Sequence, residues 1–227
     1  MKVIVPVAGY GSRLRPHTYS ANKSLLHVAG RPILSHVLEP VIALKPDEVI
    51  FVIGFRGEEV QEYVEQTCSF KSIFVRQDKL LGLGYAVSLA LDAMTDGPTL
   101  VLLGDTIVEL DLGKFVAAGK NVLGLRSVED PHRFGIAEVA QGRVVGLEEK
   151  PAHPKGNLAI VGLYYFQDSR PLRQALNQLM VSGLTTRGEV QLTDALQRLI
   201  VAGELFAPFQ IDSWFDCGKK ETVLATN

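Results

Sequence analysis

From Lys2 to Gly104 the chain alternates strand-sized apolar runs with stretches of helical period: "KVIVPV", "RPILSHVLEPVIAL", "EVIFVIG", "EEVQEYVEQ", "SIFVRQ", "YAVSLALDAM" and "TLVLLG". An apolar run without polar alternation suits a strand buried on both faces, and the helix after it is the crossover that a parallel neighbour needs. The rhythm therefore predicts βαβ units around a parallel sheet. In the first helical stretch Pro32 suits the opening position, and Ile33, Val37, Val41 and Leu44 recur along one face. Further on, "FGIAEV" and "RVVGLEE" flank Gln141-Gly142, a two-residue linker that reads as a tight hairpin turn. "NLAIVGLYYF" adds a strand, "SRPLRQALNQLM" and "TDALQRLIVAG" add helices, and "ELFAPFQIDSWFDCG" closes the pattern. The prediction is an α/β fold, a three-layer α/β/α sandwich around a mostly parallel, mixed sheet. Pro6 stands against it, because it cannot donate to a ladder and so argues against a fully paired central strand.

With 227 residues, 47% of them apolar, one sizeable core and one domain are the default. The 23 basic residues nearly balance the 25 acidic ones, so no global field draws the chain to nucleic acid or to an anionic membrane, and any anion site must be local. Cys68 and Cys217 match no metal or redox spacing, and no charged-then-apolar leader opens the sequence. A cytoplasmic, reducing setting is expected. Runs such as "VIVPV" are far shorter than the ~18 residues of a membrane-spanning helix.

The segment "VAGYGSRLRPHTYSANK", from Val7 to Lys23, follows the first apolar run. Gly9 and Gly11 let the backbone turn tightly, so that the Ala8–Ser12 stretch can aim bare N–H groups at phosphate. Leu14 occupies the place of the third glycine of a dinucleotide fingerprint, and no Lys-Ser or Lys-Thr pair closes a P-loop. Alone, the pattern fits a phosphate cradle and a plain glycine turn with incidental surface cations equally well.

Its continuation narrows the choice. "AGYGSRLRPHT" followed by "NKSLLHVAGRPIL" resembles the signature of the sugar-1-phosphate nucleotidylyltransferases, in which a G-x-G-[ST]-R-L-x-P-x-T loop precedes a lysine and a V-x-G-[KR]-P-[IL] stretch. "VRQDKLLGLGYAV" and "EKPAHPKGNLAIVGLYYF" look most similar to bacterial members that use UTP or dTTP with glucose 1-phosphate. By motif order the resemblance runs from Lys2 to about Gly218. It implies the Rossmann-like nucleotide-diphospho-sugar transferase fold as a single domain over residues 1–227, with a nucleotide-binding half to about 110 and a sugar-binding half from about 111. The partners implied are a nucleoside triphosphate and a sugar 1-phosphate, with neither nucleic acid nor membrane; a homo-oligomer is left open. The longer thymidylyltransferases continue beyond this point with helices that build oligomer contacts and a regulatory site, and allosteric control is left open.

Such enzymes let a sugar phosphate oxygen attack the α-phosphorus in line and expel pyrophosphate, so catalysis is positioning plus neutralisation of charge. By the resemblance, Arg13 meets the triphosphate with a planar fork and Lys23 meets the reacting phosphates as a compact charge. Arg15 and His17 read as surface residues. Mg²⁺ is implied as the cofactor, because it favours a few carboxylates, phosphate oxygens and retained waters. Asp105 ends "TLVLLGD", at the carboxyl end of a strand where open α/β sheets bind ligands. Asp216, in "WFDCG", matches the family's second metal aspartate, whereas Asp212 reads as an ordinary solvent-facing carboxylate.

For the nucleotide, Gln77 and Gly82 match the pyrimidine-reading segment, and a glutamine amide complements the adjacent acceptor and N–H donor of uracil or thymine. For the sugar phosphate, the resemblance assigns Gly135, Glu149, Lys150 and Arg187. By the same correspondence Tyr164 and Ile160 would line the pocket, although strand aromatics and aliphatics are more often core. Three departures are visible: Thr106 where thymidylyltransferases show asparagine, Phe134 where they show tyrosine, and Cys217 where threonine is common. Alternatives are N-acetylglucosamine 1-phosphate with UTP, mannose 1-phosphate with GTP, a non-catalytic nucleotide-sugar sensor, and a cytidylyltransferase acting on a phosphate such as phosphocholine. Gln77 with Gly82 counts against guanine, and the absence of hexapeptide repeats counts against a bifunctional uridylyl-acetyl enzyme.

Overall fold

The computed structural model describes residues 1–218; the end of the predicted sugar-binding half, 219–227, lies outside the described residues. In chain order the elements are β1 (Lys2–Pro6), β2 (His27–Val28), β3 (Arg31–Pro32), α1 (Ile33–Leu44), β4 (Glu48–Ile53), α2 (Gly57–Thr67), β5 (Ser72–Arg76), α3 (Leu83–Asp92), β6 (Thr99–Leu102), β7 (Thr106–Val108) and α4 (Leu112–Ala117). There follow β8 (Asn121–Ser127), β9 (Gly135–Ala140), β10 (Arg143–Glu149), β11 (Leu158–Phe166), α5 (Arg170–Ser182), α6 (Leu192–Val201), β12 (Ala207–Gln210) and β13 (Trp214–Asp216).

A nine-stranded sheet runs β10-β9-β11-β6-β1-β4-β5, with β8 and β12 branching from β11. Pairing among β6, β1, β4 and β5 is parallel, while β11 runs antiparallel to β6, β8 and β9. Strand alternation feeds two cores: Ile4, Ile50 and Val52 face α3, α5 and α6, whereas Val3, Val5, Val49 and Phe51 face α1 and α2. Three residues of the predicted α1 stripe, Ile33, Val37 and Val41, are fully or almost fully buried and Leu44 is partly buried against the same core, while Pro32 stands just before the helix instead of opening it. The hairpin also forms as read: Gln141 and Gly142 both have positive φ, the backbone that a primed two-residue turn requires.

The crossovers through α1 and α2 lie on one face and the one through α3 lies on the other. The sheet therefore reverses its winding between β1 and β6, and a crevice opens at the carboxyl ends of those two strands. Pro6 fits because it stands at the strand end. Val7 donates to Val52 on the β4 side, so alternation puts the missing N–H of Pro6 on the β6 side, where pairing has ended at Ile4.

The long strand β11 shifts register between Ile160 and Tyr164. There Gly162, at φ +87°, presses its backbone against the loop after β6: Leu103 donates to its carbonyl at 3.0 Å, and a Cβ would fall 2.6 Å from Leu103 Cδ1. That contact fixes the loop carrying Asp105. A short ladder of β7 with β13 sets Thr106 opposite Asp216.

Candidate active site

The crevice is a cleft of about 450 Å³, within the usual size of ligand sites. Ala8, Gly9, Gly11, Ser12, Arg13, Lys23, Gln77, Gly82, Asp105, Gly135, Glu149, Lys150 and Asp216 all line it. Arg187 does not. It is exposed at the turn Thr186–Glu189, and its guanidinium donates to the Lys150 carbonyl at 2.9 Å, so in this structure it braces the backbone of Lys150.

After β1 the chain makes three single-turn helices, Ser12–Leu14, His17–Tyr19 and Lys23–Leu25. Gly11, at φ +61°, is wedged between Thr18 and Lys23, and a Cβ there would meet Thr18 Cγ2 at 2.8 Å. The fully buried Asn22 caps the third turn: its Oδ1 accepts from the Ser24 N–H at 3.0 Å and its amide donates to the Phe55 carbonyl at 2.8 Å. Lys23 is thereby aimed across the cleft at Asp105, with which it forms a hydrogen-bonded ion pair. Burial alone would raise the Asp105 carboxyl. The Lys23 ammonium, joined by the charge of Arg13, holds it below the ordinary carboxylate value instead. Arg13 itself is exposed and takes no hydrogen bond or ion pair among the described residues. Arg15 and His17 lie outside the cleft lining, with the Arg15 guanidinium 5.0 Å from the Tyr19 ring.

Across the cleft, Asp216 receives Arg133 Nη2 at 3.2 Å on Oδ2 and the Gly218 N–H at 2.9 Å on Oδ1. Cys217 is fully buried, and its thiol is pushed up to about 12 by that burial and by the two neighbouring aspartates. Thr106 is also buried; its hydroxyl donates to the Val161 carbonyl at 3.1 Å and so serves the β11 bulge. Asp212 lies away in a separate groove, exposed and beside Gln210.

On the β10 side, Thr193 donates to Glu149 Oε2 at 2.6 Å and Lys150 Nζ stands 3.0 Å from Glu149 Oε1. Gly135 permits this packing, since a Cβ would lie 3.0 Å from Thr193 Oγ1 and 3.1 Å from Glu149 Oε2. Lys150 adopts φ +45° and its N–H donates to the Phe134 carbonyl at 3.0 Å. Tyr164 is buried yet lines the cleft, and burial together with Glu149 and Asp105 raises its hydroxyl well above the usual tyrosine value.

On the β5 side, Gln77 is buried and lines the cleft, and its side-chain amide has no hydrogen-bond partner among the described residues. Gly82, at φ +109°, lets the turn into α3 lie against the Glu189–Gln191 segment: a Cβ would meet the Val190 carbonyl at 2.6 Å. Ladder-like bonds, Val190 N–H to Leu81 and Gly84 N–H to Val190, hold the two together at 2.7 and 2.8 Å.

The sequence reading missed Arg133 and Trp214. Both line the cleft, and Arg133 Nε and Trp214 Nε1 are buried without a hydrogen-bond partner among the described residues. Phe134 joins them, its ring 5.2 Å from Trp214 and 5.1 Å from the Arg133 guanidinium. Among the described residues no helix is long and apolar enough to cross a membrane, and no group of three or more His, Cys, Asp or Glu is placed to hold a metal ion.

A chain-wide comparison places this architecture among known proteins. The sequence is 37% identical to a glucose-1-phosphate thymidylyltransferase of Streptomyces griseus, an alignment covering 100% of this chain and 65% of that protein. It is 34% identical to the bifunctional protein GlmU of Methanococcus vannielii, covering 100% of this chain and 54% of that one. The chain thus spans 54% to 65% of the length of these curated relatives. Among solved structures, a UDP-glucose pyrophosphorylase complexed with UDP-glucose shares the fold at a TM-score of 0.84 and 20% identity, over 99% of this chain and 96% of the other. With a nucleotidyl transferase family model matching residues 2–227, the chain belongs to the nucleotidyl transferase family.

Proposed function

We propose that this chain transfers a nucleotidyl group from UTP or dTTP to a sugar 1-phosphate, glucose 1-phosphate foremost, with Mg²⁺ as cofactor, giving a nucleotide sugar and pyrophosphate. The observation that carries the reading is one cleft lined at once by Arg13, Lys23, Asp105 and Asp216, by Gln77 and Gly82 from the β5 side, and by Glu149 and Lys150 from the β10 side. Cations and carboxylates converge where two phosphates would meet; a free amide stands at one flank and a carboxylate–lysine pair at the other.

In this reading the unpaired Arg13 grips the triphosphate and steadies charge developing on the departing pyrophosphate. Lys23 leaves Asp105 for the reacting phosphates. Gln77 donates to and accepts from the pyrimidine edge, and the cleft-lining backbone of Gly82 borders the base. Glu149, fixed by Thr193, accepts from sugar hydroxyls, while Lys150 holds the sugar's phosphate. The donor set suits Mg²⁺: two carboxylates lie at one backbone ladder and are each paired with a side-chain cation that a hard ion can replace. When bound, Mg²⁺ would supply charge neutralisation between triphosphate and acceptor.

Pyrophosphate release, followed for UTP, dTTP, CTP and GTP against glucose, N-acetylglucosamine, galactose and mannose 1-phosphates, tests the reading. Turnover with a pyrimidine triphosphate and glucose 1-phosphate, abolished by a chelator, is the expected result. Release with N-acetylglucosamine 1-phosphate alone would reassign the sugar, and binding without release from any pair would favour a nucleotide-sugar sensor.

A further inference from the structure

Arg133 is bound too loosely for a structural residue. Its guanidinium has five N–H donors, of which one meets Asp216 at 3.2 Å, while Nε is buried with no partner among the described residues. A buried donor without an acceptor is costly unless something else satisfies it. The turn that carries it, Pro131–Arg133, is anchored on both sides: His132 Nδ1 lies 3.0 Å from the Pro151 carbonyl, and the Lys150 N–H donates to the Phe134 carbonyl. The ring of Phe134 supports the guanidinium face at 5.1 Å. Arg133 is therefore a cation on a firm base, held over a cleft-lining carboxylate with donors to spare.

We propose that Arg133 changes partners during the reaction: it neutralises Asp216 while no metal is bound, and gives its free N–H groups to a phosphate oxygen once a divalent ion takes that carboxylate. The chemistry it would recognise is a phosphate dianion, from the sugar 1-phosphate or from pyrophosphate, which a planar fork matches better than a point charge does. The proposal rests on the reading of Asp105 and Asp216 as metal-holding residues. It gives the two carboxylates matched stand-in cations, Lys23 on one and Arg133 on the other.

The exchange makes two effects of opposite sign. In substrate-free protein, calorimetric titration with Mn²⁺ should show Arg133→Met binding the ion about tenfold tighter than wild type, because a competitor of charge-assisted hydrogen-bond strength is gone. With saturating Mg²⁺, pyrophosphate or glucose 1-phosphate, titrated separately, should bind the same variant about tenfold more weakly, and whichever ligand is affected identifies the phosphate that Arg133 meets. Arg133→Lys keeps the charge and loses the fork, so its Mn²⁺ affinity should stay within about twofold of wild type while phosphate binding weakens. Should Arg133→Met not fold, the lysine variant carries the test, and undiminished binding of both phosphate ligands by it overturns the proposal. Unchanged or weaker Mn²⁺ binding by a folded Arg133→Met also overturns it. Undiminished Mn²⁺ binding by Asp216→Asn would remove the metal reading itself, and the exchange with it.

Discussion

The backbone N–H of Cys217 donates to the carbonyl of Asp105 at 3.0 Å, one step beyond the ladder that pairs Thr106 with Asp216. The backbones of two cleft-lining aspartates more than a hundred residues apart in sequence are thus tied together by bonds that do not involve their own side chains. Asp105→Asn and Asp216→Asn should therefore fold. Each is expected to lower turnover by at least about 10² to 10³, the scale of removing an electrostatic partner of the transition state, while still unfolding cooperatively, Asp216→Asn near the wild-type temperature and Asp105→Asn below it because the Lys23 pair is gone. Steady-state kinetics and calorimetry check the pair of outcomes; loss of folding in either variant would make that aspartate structural.

Two glycines of the cleft should respond differently to alanine. At Gly82 a Cβ would strike the Val190 carbonyl at 2.6 Å in a backbone at φ +109°, so Gly82→Ala should destabilise the fold by about 1–3 kcal/mol. At Gly9, which lines the cleft, a Cβ would meet nothing within 4 Å among the described residues, so Gly9→Ala should melt like wild type and bind triphosphate more weakly. Thermal melts with and without UTP separate the two.

Acid should act through Asp105. Its carboxyl lies below the ordinary value of 3.8, so the stabilisation from the Lys23 pair is complete above that value and is lost as pH falls through the lower, folded one. Between about pH 5 and pH 2.5 the melting temperature of wild type should fall further than that of Asp105→Asn, which has no such proton to take up. Parallel slopes would assign acid sensitivity to other groups.

Thiol labelling reports on the same neighbourhood. Cys217 is fully buried, with its thiol pushed up to about 12, whereas Cys68 is half-buried at the end of α2. Native protein should release one equivalent of thiol to Ellman's reagent and unfolded protein two; rapid labelling of Cys217 in native protein would mean that the Asp105–Asp216 ladder opens.

Most of the sheet is legible in the sequence because strands buried on both faces leave continuous apolar runs, and Gln141-Gly142 writes its turn in backbone preference. Strands β7 and β13 are not legible: three residues each, "TIV" and "WFD", are too short to show a period, and they pair across more than a hundred residues of sequence. Glycines and charged residues of the loops are consistent with phosphate chemistry, but it is the family resemblance of the motifs around them that assigns them to the cleft. Arg133 gave no such signal, since an arginine between histidine and phenylalanine looks like surface until the fold sets it on Asp216. Arg187 shows the converse, a loop cation whose reach is taken up by the Lys150 carbonyl.

The most direct test follows the α-phosphate. With UTP or dTTP labelled at that position, glucose 1-phosphate and Mg²⁺, the label should appear in a nucleotide sugar, equimolar with released pyrophosphate. Label that stays in the triphosphate, or leaves as free nucleoside monophosphate whether or not the sugar phosphate is present, would contradict nucleotidyl transfer in this cleft.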